Sequence, residues 1–186
     1  MFGNLISAEN KPIVDDWVNV GTMLVVSRLL ASGSLTDNKW LMESLYTLLG
    51  FTAYHIVTKR VLKVQVSNAV MQNVVNDTLK VGTMLVVSRL LAGGSVTDED
   101  WIMSSVYTLL GFAAYQVVVA NVVPFEKVEN GTLRNAVQNS AKVGTMMIVS
   151  RLLAGGSIQD EKWMTSSAYT LLGFAAHDLV VKGLLN

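Results

Sequence analysis

Apolar residues run through this chain in long blocks, and the polar interruptions fall at matching places. A first block, 12–31, has no Gly-Pro break, only the lone Gly21, and Asp15 and Asp16 are favourably placed near its N-terminal end. Asn10-Lys11-Pro12 opens it, with Pro12 at a first-turn position where a missing N–H is harmless. Ser32-Gly33-Ser34 closes it, where glycine can take the left-handed conformation that ends a helix. Thr36-Asp37 then caps a second block, 38–62. The same alternation predicts helices over 67–92 and 99–123, then over 133–154 and 160–184. Thr97-Asp98-Glu99-Asp100 has the spacing of a capping box, and Pro124 ends the fourth helix. Local runs such as Val117-Val118-Val119 favour strand, but blocks of this length with caps and glycine stops are helices.

The six blocks are one sentence written three times. Gly82-Thr83-Met84-Leu85-Val86-Val87-Ser88-Arg89-Leu90-Leu91 leads to Gly93-Gly94-Ser95, Trp101 and Tyr107-Thr108-Leu109-Leu110-Gly111-Phe112. Matching phrases carry Arg28, Trp40 and Gly50 before it, and Arg151, Trp163 and Gly173 after it. Between 80–119 and 142–181, 29 of 40 positions are identical. Such self-similarity marks a single supersecondary unit used three times. The expected architecture is all-α: tandem helical hairpins over 1–63, 64–124 and 125–186, cooperating as one body because each is too small to bury much alone. Gly50, Gly111 and Gly173 recur in every unit and let helices approach closely, so each unit expects a neighbour and the three close into a pseudo-threefold bundle. The second helix of each hairpin is placed near the axis and the first outside. Gly21, Gly82 and Gly144 are expected to mark a facing contact.

Composition turns this picture toward lipid. Apolar residues make up 51% and charged residues 15%, with mean hydropathy +0.43. The stretch 101–123 is free of charge and long enough to span a bilayer, and Trp40, Trp101 and Trp163 stand where tryptophan anchors a membrane–water boundary. The first helices are less uniform. Asn73, Asn76, Asp77 and Lys80 would need partners to cover them in lipid. Near-identical turns should share one compartment, so each unit should cross an even number of times. Lys11, Lys59, Arg60, Lys63, Lys80, Lys127, Arg134, Lys142 and Lys182 are counted at the ends and between units, which puts both termini on the cytoplasmic side. The start of the chain has no basic region and too short an apolar run for a signal peptide.

The same composition narrows the chemistry. The 14 basic and 14 acidic residues cancel, so nucleic acid is not expected as a partner. With no cysteine and two non-equivalent histidines, His55 and His177, neither a metal site nor a cofactor is expected, and no catalytic set is recognisable. The chain reads as a non-enzyme. Arg28, Arg89 and Arg151 are the sharpest candidates. They could form a ring gripping an anion or a lipid headgroup, or they could lock each hairpin by reaching Asp37, Asp98 and Asp160 across the turn. The lock is preferred, since arginines near helix ends usually snorkel.

The repeated phrase, taken as Gly82–Leu91, Gly93–Ser95, Trp101 and Tyr107–Phe112, resembles small hydrophobic proteins of large icosahedral DNA viruses with an internal membrane. The likeness covers most of the chain and implies a minor capsid or membrane-anchoring virion component, with no active-site residue. The leading reading is therefore a structural multi-pass membrane protein that ties a protein shell to a bilayer, with capsid or other membrane proteins, or further copies of itself, as partners. A channel or transporter with an arginine-lined path, or a soluble helical scaffold, are the alternatives.

Overall fold

A computed structural model describes residues 7–181, and every regular element among them is helical. Six long helices follow in order: α1 (Lys11–Leu30), α2 (Asn38–Ala53), α3 (Ala69–Leu91), α4 (Glu99–Ala114), α5 (Gly131–Leu153) and α6 (Glu161–Ala176). Three of them run on through π-helical turns, α2 into Tyr54–Thr58, α4 into Tyr115–Val119 and α6 into His177–Val181. Single α turns, Lys59–Val61 and Ala120–Val122, end the first two. The expected helix bounds hold to within a residue or two at most ends, and the tail of the last helix beyond 181 lies outside the described residues.

Each hairpin turn is built by local chemistry. The carboxylates of Asp37, Asp98 and Asp160 accept the backbone N–H of Trp40, Trp101 and Trp163 at 2.8 Å, which starts α2, α4 and α6. Such a cap is worth about 1 kcal/mol. The capping box expected at Thr97 is not the device used: its hydroxyl pairs with Ser95 at 2.8 Å, and Asp98 caps alone. At the other side of the turn, Gly94 N–H reaches the Arg89 carbonyl and Gly93 N–H the Leu90 carbonyl. This double closure needs a left-handed residue, and Gly93 and Gly155 supply it with φ near +73°. In the first hairpin the left-handed residue is Ser32, φ 55°, and not the glycine beside it.

The helices alternate around a closed ring. Each packs on its hairpin partner and on one helix of the next hairpin: α2 on α3, α4 on α5, and α6 back on α1. The closest approaches are between hairpins. A Cβ added to Gly50 would lie 2.8 Å from Met84 Cα, one on Gly111 2.6 Å from Met146 Cα, and one on Gly173 2.8 Å from Met23 Cα. Neither set of helices is central, contrary to the expectation for α2, α4 and α6. The interior draws Val20, Val81 and Val143 from the first helices and Tyr54 and Tyr115 from the second ones. The expected facing contact at Gly21, Gly82 and Gly144 is loose: nothing lies within 4 Å of a Cβ at Gly21, and Leu109 and Leu171 lie at 4.0 and 3.8 Å from the other two. The close contact falls two residues later, on the methionine backbone, because that is where the facing helix presents its own glycine.

The described residues bury few side chains completely and expose many large apolar ones. The one side chain described as fully buried is Asp178, while the outer surface carries repeated apolar triplets. Val25, Val86 and Ile148 are about two-fifths exposed, and Leu29, Leu90 and Leu152 are 54–55% exposed. Ile56, Val117 and Leu179 continue the same belt lower down. The span Glu99–Val122 is long and apolar enough to cross a membrane by length and composition, and only 11% of its most apolar stretch is buried.

Candidate functional site

Two threefold sets of polar groups stand out, one at the turns and one inside. At each turn an arginine leaves the last turn of its helix, where a cation suits the helix dipole. Its Nε donates to a carbonyl across the loop: Arg28 to Ser34, Arg89 to Ser95, Arg151 to Ser157, at 3.1–3.2 Å. Its Nη2 lies 3.4 Å from Asp37, 3.7 Å from Asp98 or 3.6 Å from Asp160. Its guanidinium carbon stands 5.7–5.9 Å from the ring centre of Trp40, Trp101 or Trp163, within cation–π range. Glycine is required beside it, since a Cβ at Gly33, Gly94 or Gly156 would fall 2.3 Å from the arginine Nε. The Asp37 carboxyl is held below its usual range, first by the Trp40 N–H it accepts and then by Arg28. The three arginines are thus shared out one per turn, each engaged by its own loop. In the two junction grooves that they line, Arg89 stands between the first and second hairpins and Arg151 between the second and third.

The interior set was only half legible as isolated polar residues. Asp16 on α1 accepts from Lys80 Nζ on α3 at 2.6 Å and lies 2.7 Å from His55 Nε2. Asp77 on α3 repeats this with Lys142 on α5 at 2.6 Å, and accepts from Gln116 Nε2 at 2.6 Å. Each lysine also sits over a phenylalanine of the preceding hairpin, Lys80 5.5 Å from Phe51 and Lys142 5.7 Å from Phe112. At the third junction the equivalent positions hold Asn139 and Asn19, and the acid has moved to Asp178. Asn139 Nδ2 donates to Asp178 Oδ2 at 2.6 Å, and His177 Nδ1 is 3.3 Å from Asp178 Oδ1.

The π turns position this set. His55, Gln116 and Asp178 each stand second in a π turn, where the extra residue re-aims the side chains that follow. Asp16 and Asp77 are 14% exposed at the side chain, so their charges are largely withdrawn from solvent and need these partners. Lys80 lies nine residues before Arg89, about 14 Å along the helix. The inner polar set therefore forms a belt of its own, about 14 Å from the turns. No group of three or more His, Cys, Asp or Glu able to hold a metal occurs among the described residues.

No family model, curated protein or solved structure matches the chain.

Proposed function

We propose that this protein is a non-enzymatic structural component of a lipid membrane, in which three repeated hairpins cross the bilayer as a closed, pseudo-threefold six-helix body. The apolar outer surface carries this reading. The two lysine–aspartate pairs and Asp178 are largely withdrawn from solvent, while Val25, Val86 and Ile148, and Leu29, Leu90 and Leu152, face outward at the same positions of the three repeats. In water, an outer belt of this kind would be an aggregation hazard; in lipid it is the required surface. A core helix of a soluble bundle would be mostly buried, whereas only 11% of the most apolar stretch of Glu99–Val122 is buried. The arginine–tryptophan turns then sit at one interface, and the inner belt of ion pairs lies near the midplane, about half of a ~30 Å hydrocarbon core away. Charges at that depth face the bundle interior and pair with one another, as the two lysine–aspartate pairs do.

The anchoring of a protein shell, and a place in a virion beneath a major capsid layer, follow from the resemblance of the repeated phrase. The arginines favour scaffold over channel, because each guanidinium is engaged by its own turn instead of lining a shared path. Expression with flotation and carbonate extraction tests the reading. The protein should float with lipid, resist carbonate and need detergent for release; a monodisperse protein in detergent-free buffer would overturn it.

A further inference from the structure

Three grooves open at the turn end of the body, one at each junction between hairpins. The groove between the second and third hairpins is the largest, about 540 Å³, and that between the first and second about 230 Å³. Each of these two faces an acid from one hairpin with an arginine from the next, Glu43 with Arg89 and Asp100 with Arg151. Each also holds a half-buried tyrosine, Tyr46 or Tyr107, whose hydroxyl makes no hydrogen bond to the described residues. The arginine keeps donors to spare. Its Nε serves a backbone carbonyl and its Nη2 is the atom nearest the turn aspartate, while a guanidinium offers five N–H groups.

From this arrangement we infer that the two arginine-lined grooves each seat the headgroup of one phospholipid that carries both a phosphate and a cationic amine. The inference rests on the membrane reading above. The phosphate meets the guanidinium and the tyrosine hydroxyl; the amine meets the carboxylate at the groove mouth. A zwitterion matches a site that presents one charge of each sign, whereas a purely anionic headgroup would leave Asp100 or Glu43 facing a like charge. The acyl chains have a path. Below the larger groove, Val106 and Leu110 on one wall and Ile148 and Leu152 on the other are 40–54% exposed to the surroundings. Trp101 and Trp163 line the two grooves at the level where headgroups lie. The third groove serves as an internal control. It is lined by Glu161, Lys162 and Tyr169 with no arginine, and the facing helix end contributes Leu30, Ala31 and Ser32.

The test is native mass spectrometry of the full chain released from vesicles holding equal parts phosphatidylethanolamine, phosphatidylglycerol and an uncharged galactolipid. Flotation of the same preparation is measured alongside. Two phosphatidylethanolamine molecules should be retained in preference to the other lipids. Tyr107→Phe and Asp100→Asn remove groups that hold no helix together, so both should float normally. Each should lower retention of one lipid by about threefold to fivefold, the size expected for losing one partly exposed polar or charged contact. Equal retention of the three lipids, or no change in either variant, would overturn the inference while leaving the membrane reading intact. Failure to float would sink both.

Discussion

Where α2 meets α3, and again where α4 meets α5, a lysine crosses the junction to a half-sequestered aspartate of the preceding hairpin. Where α6 meets α1, both positions are asparagine, Asn19 and Asn139. The glycine contact does not follow this split. Gly50, Gly111 and Gly173 all bring a helix onto the backbone of a methionine in the next hairpin. The common feature is therefore what closes the ring, and the ion pair is an addition made at two junctions of three. The third junction is also the one without a connecting link, since α6 and α1 lie at opposite ends of the described chain. Lysine and aspartate are lost there together, and the acid at that junction is the fully buried Asp178, which accepts from Asn139.

The largest effects are expected at the glycines. Gly173→Ala drives a Cβ to 2.7 Å from the Met23 carbonyl oxygen and should cost about 1–3 kcal/mol in thermal unfolding within nanodiscs. Gly50→Ala and Gly111→Ala should cost the same within about 1 kcal/mol if the closing junction is packed like the others. Gly21→Ala is the contrast. With open space at its Cβ, it should be neutral or stabilising by up to about 1 kcal/mol. A strong loss there would show that the close contact lies elsewhere.

The ion pairs come next. Lys142→Asn alone leaves Asp77 with a lost partner and should cost about 1–3 kcal/mol. Adding Asp77→Asn reproduces the two asparagines of the third junction without its Asp178 and should recover much of that loss, giving a coupling energy that the same cycle at positions without contact would not show. A double variant worse than the single one would mean that the asparagine junction depends on something other than matched loss.

Much of this fold was legible in the sequence, and the reason differs by region. Helix ends and turns follow from near neighbours: Asp98 caps three residues ahead, and Arg89 reaches Ser95 and Asp98 across one loop. The arginine–aspartate pairing was readable for that reason. The inner belt was not, because Lys80 finds Asp16 and Lys142 finds Asp77 some 64 or 65 residues away. One signal was present. Asp16 and Asp77 match in the repeat, as do Lys80 and Lys142, and both partners change to asparagine together at Asn139 and Asn19. The π turns had no local signature, and without them the facing of His55, Gln116 and Asp178 could not be placed. The alternating ring was missed because the recurring glycines tell that a neighbour is close, not which side of the helix faces the axis.

Smaller effects belong to the turns. Gly93→Ser should cost about 1 kcal/mol, and Ser32→Gly should gain somewhat less, since both occupy the left-handed position of their turn. Equal and opposite shifts in melting temperature would place the two turns on one conformational scale; no shift from either would contradict the left-handed assignment. Arg89→Lys, which keeps the charge but loses the Nε donation, should be tolerated better than Arg89→Leu, with differences of about 0–1 kcal/mol. Asp98→Asn should mimic a mild loss of the same kind. A loss of several kcal/mol in Arg89→Lys would contradict a turn contact of this modest size.

The central claim is that apolar hairpins cross a membrane with all three turns on one side. The chain has no cysteine, so single thiols can be placed freely. Ser34→Cys, Ser95→Cys and Ser157→Cys, compared with Glu129→Cys in a link between hairpins, should be exposed to a membrane-impermeant maleimide in sealed vesicles of known orientation. The three turn thiols should label from one side only, and the link thiol from the other only. One turn labelling from the side of the link, or all four labelling from both sides, would contradict the account.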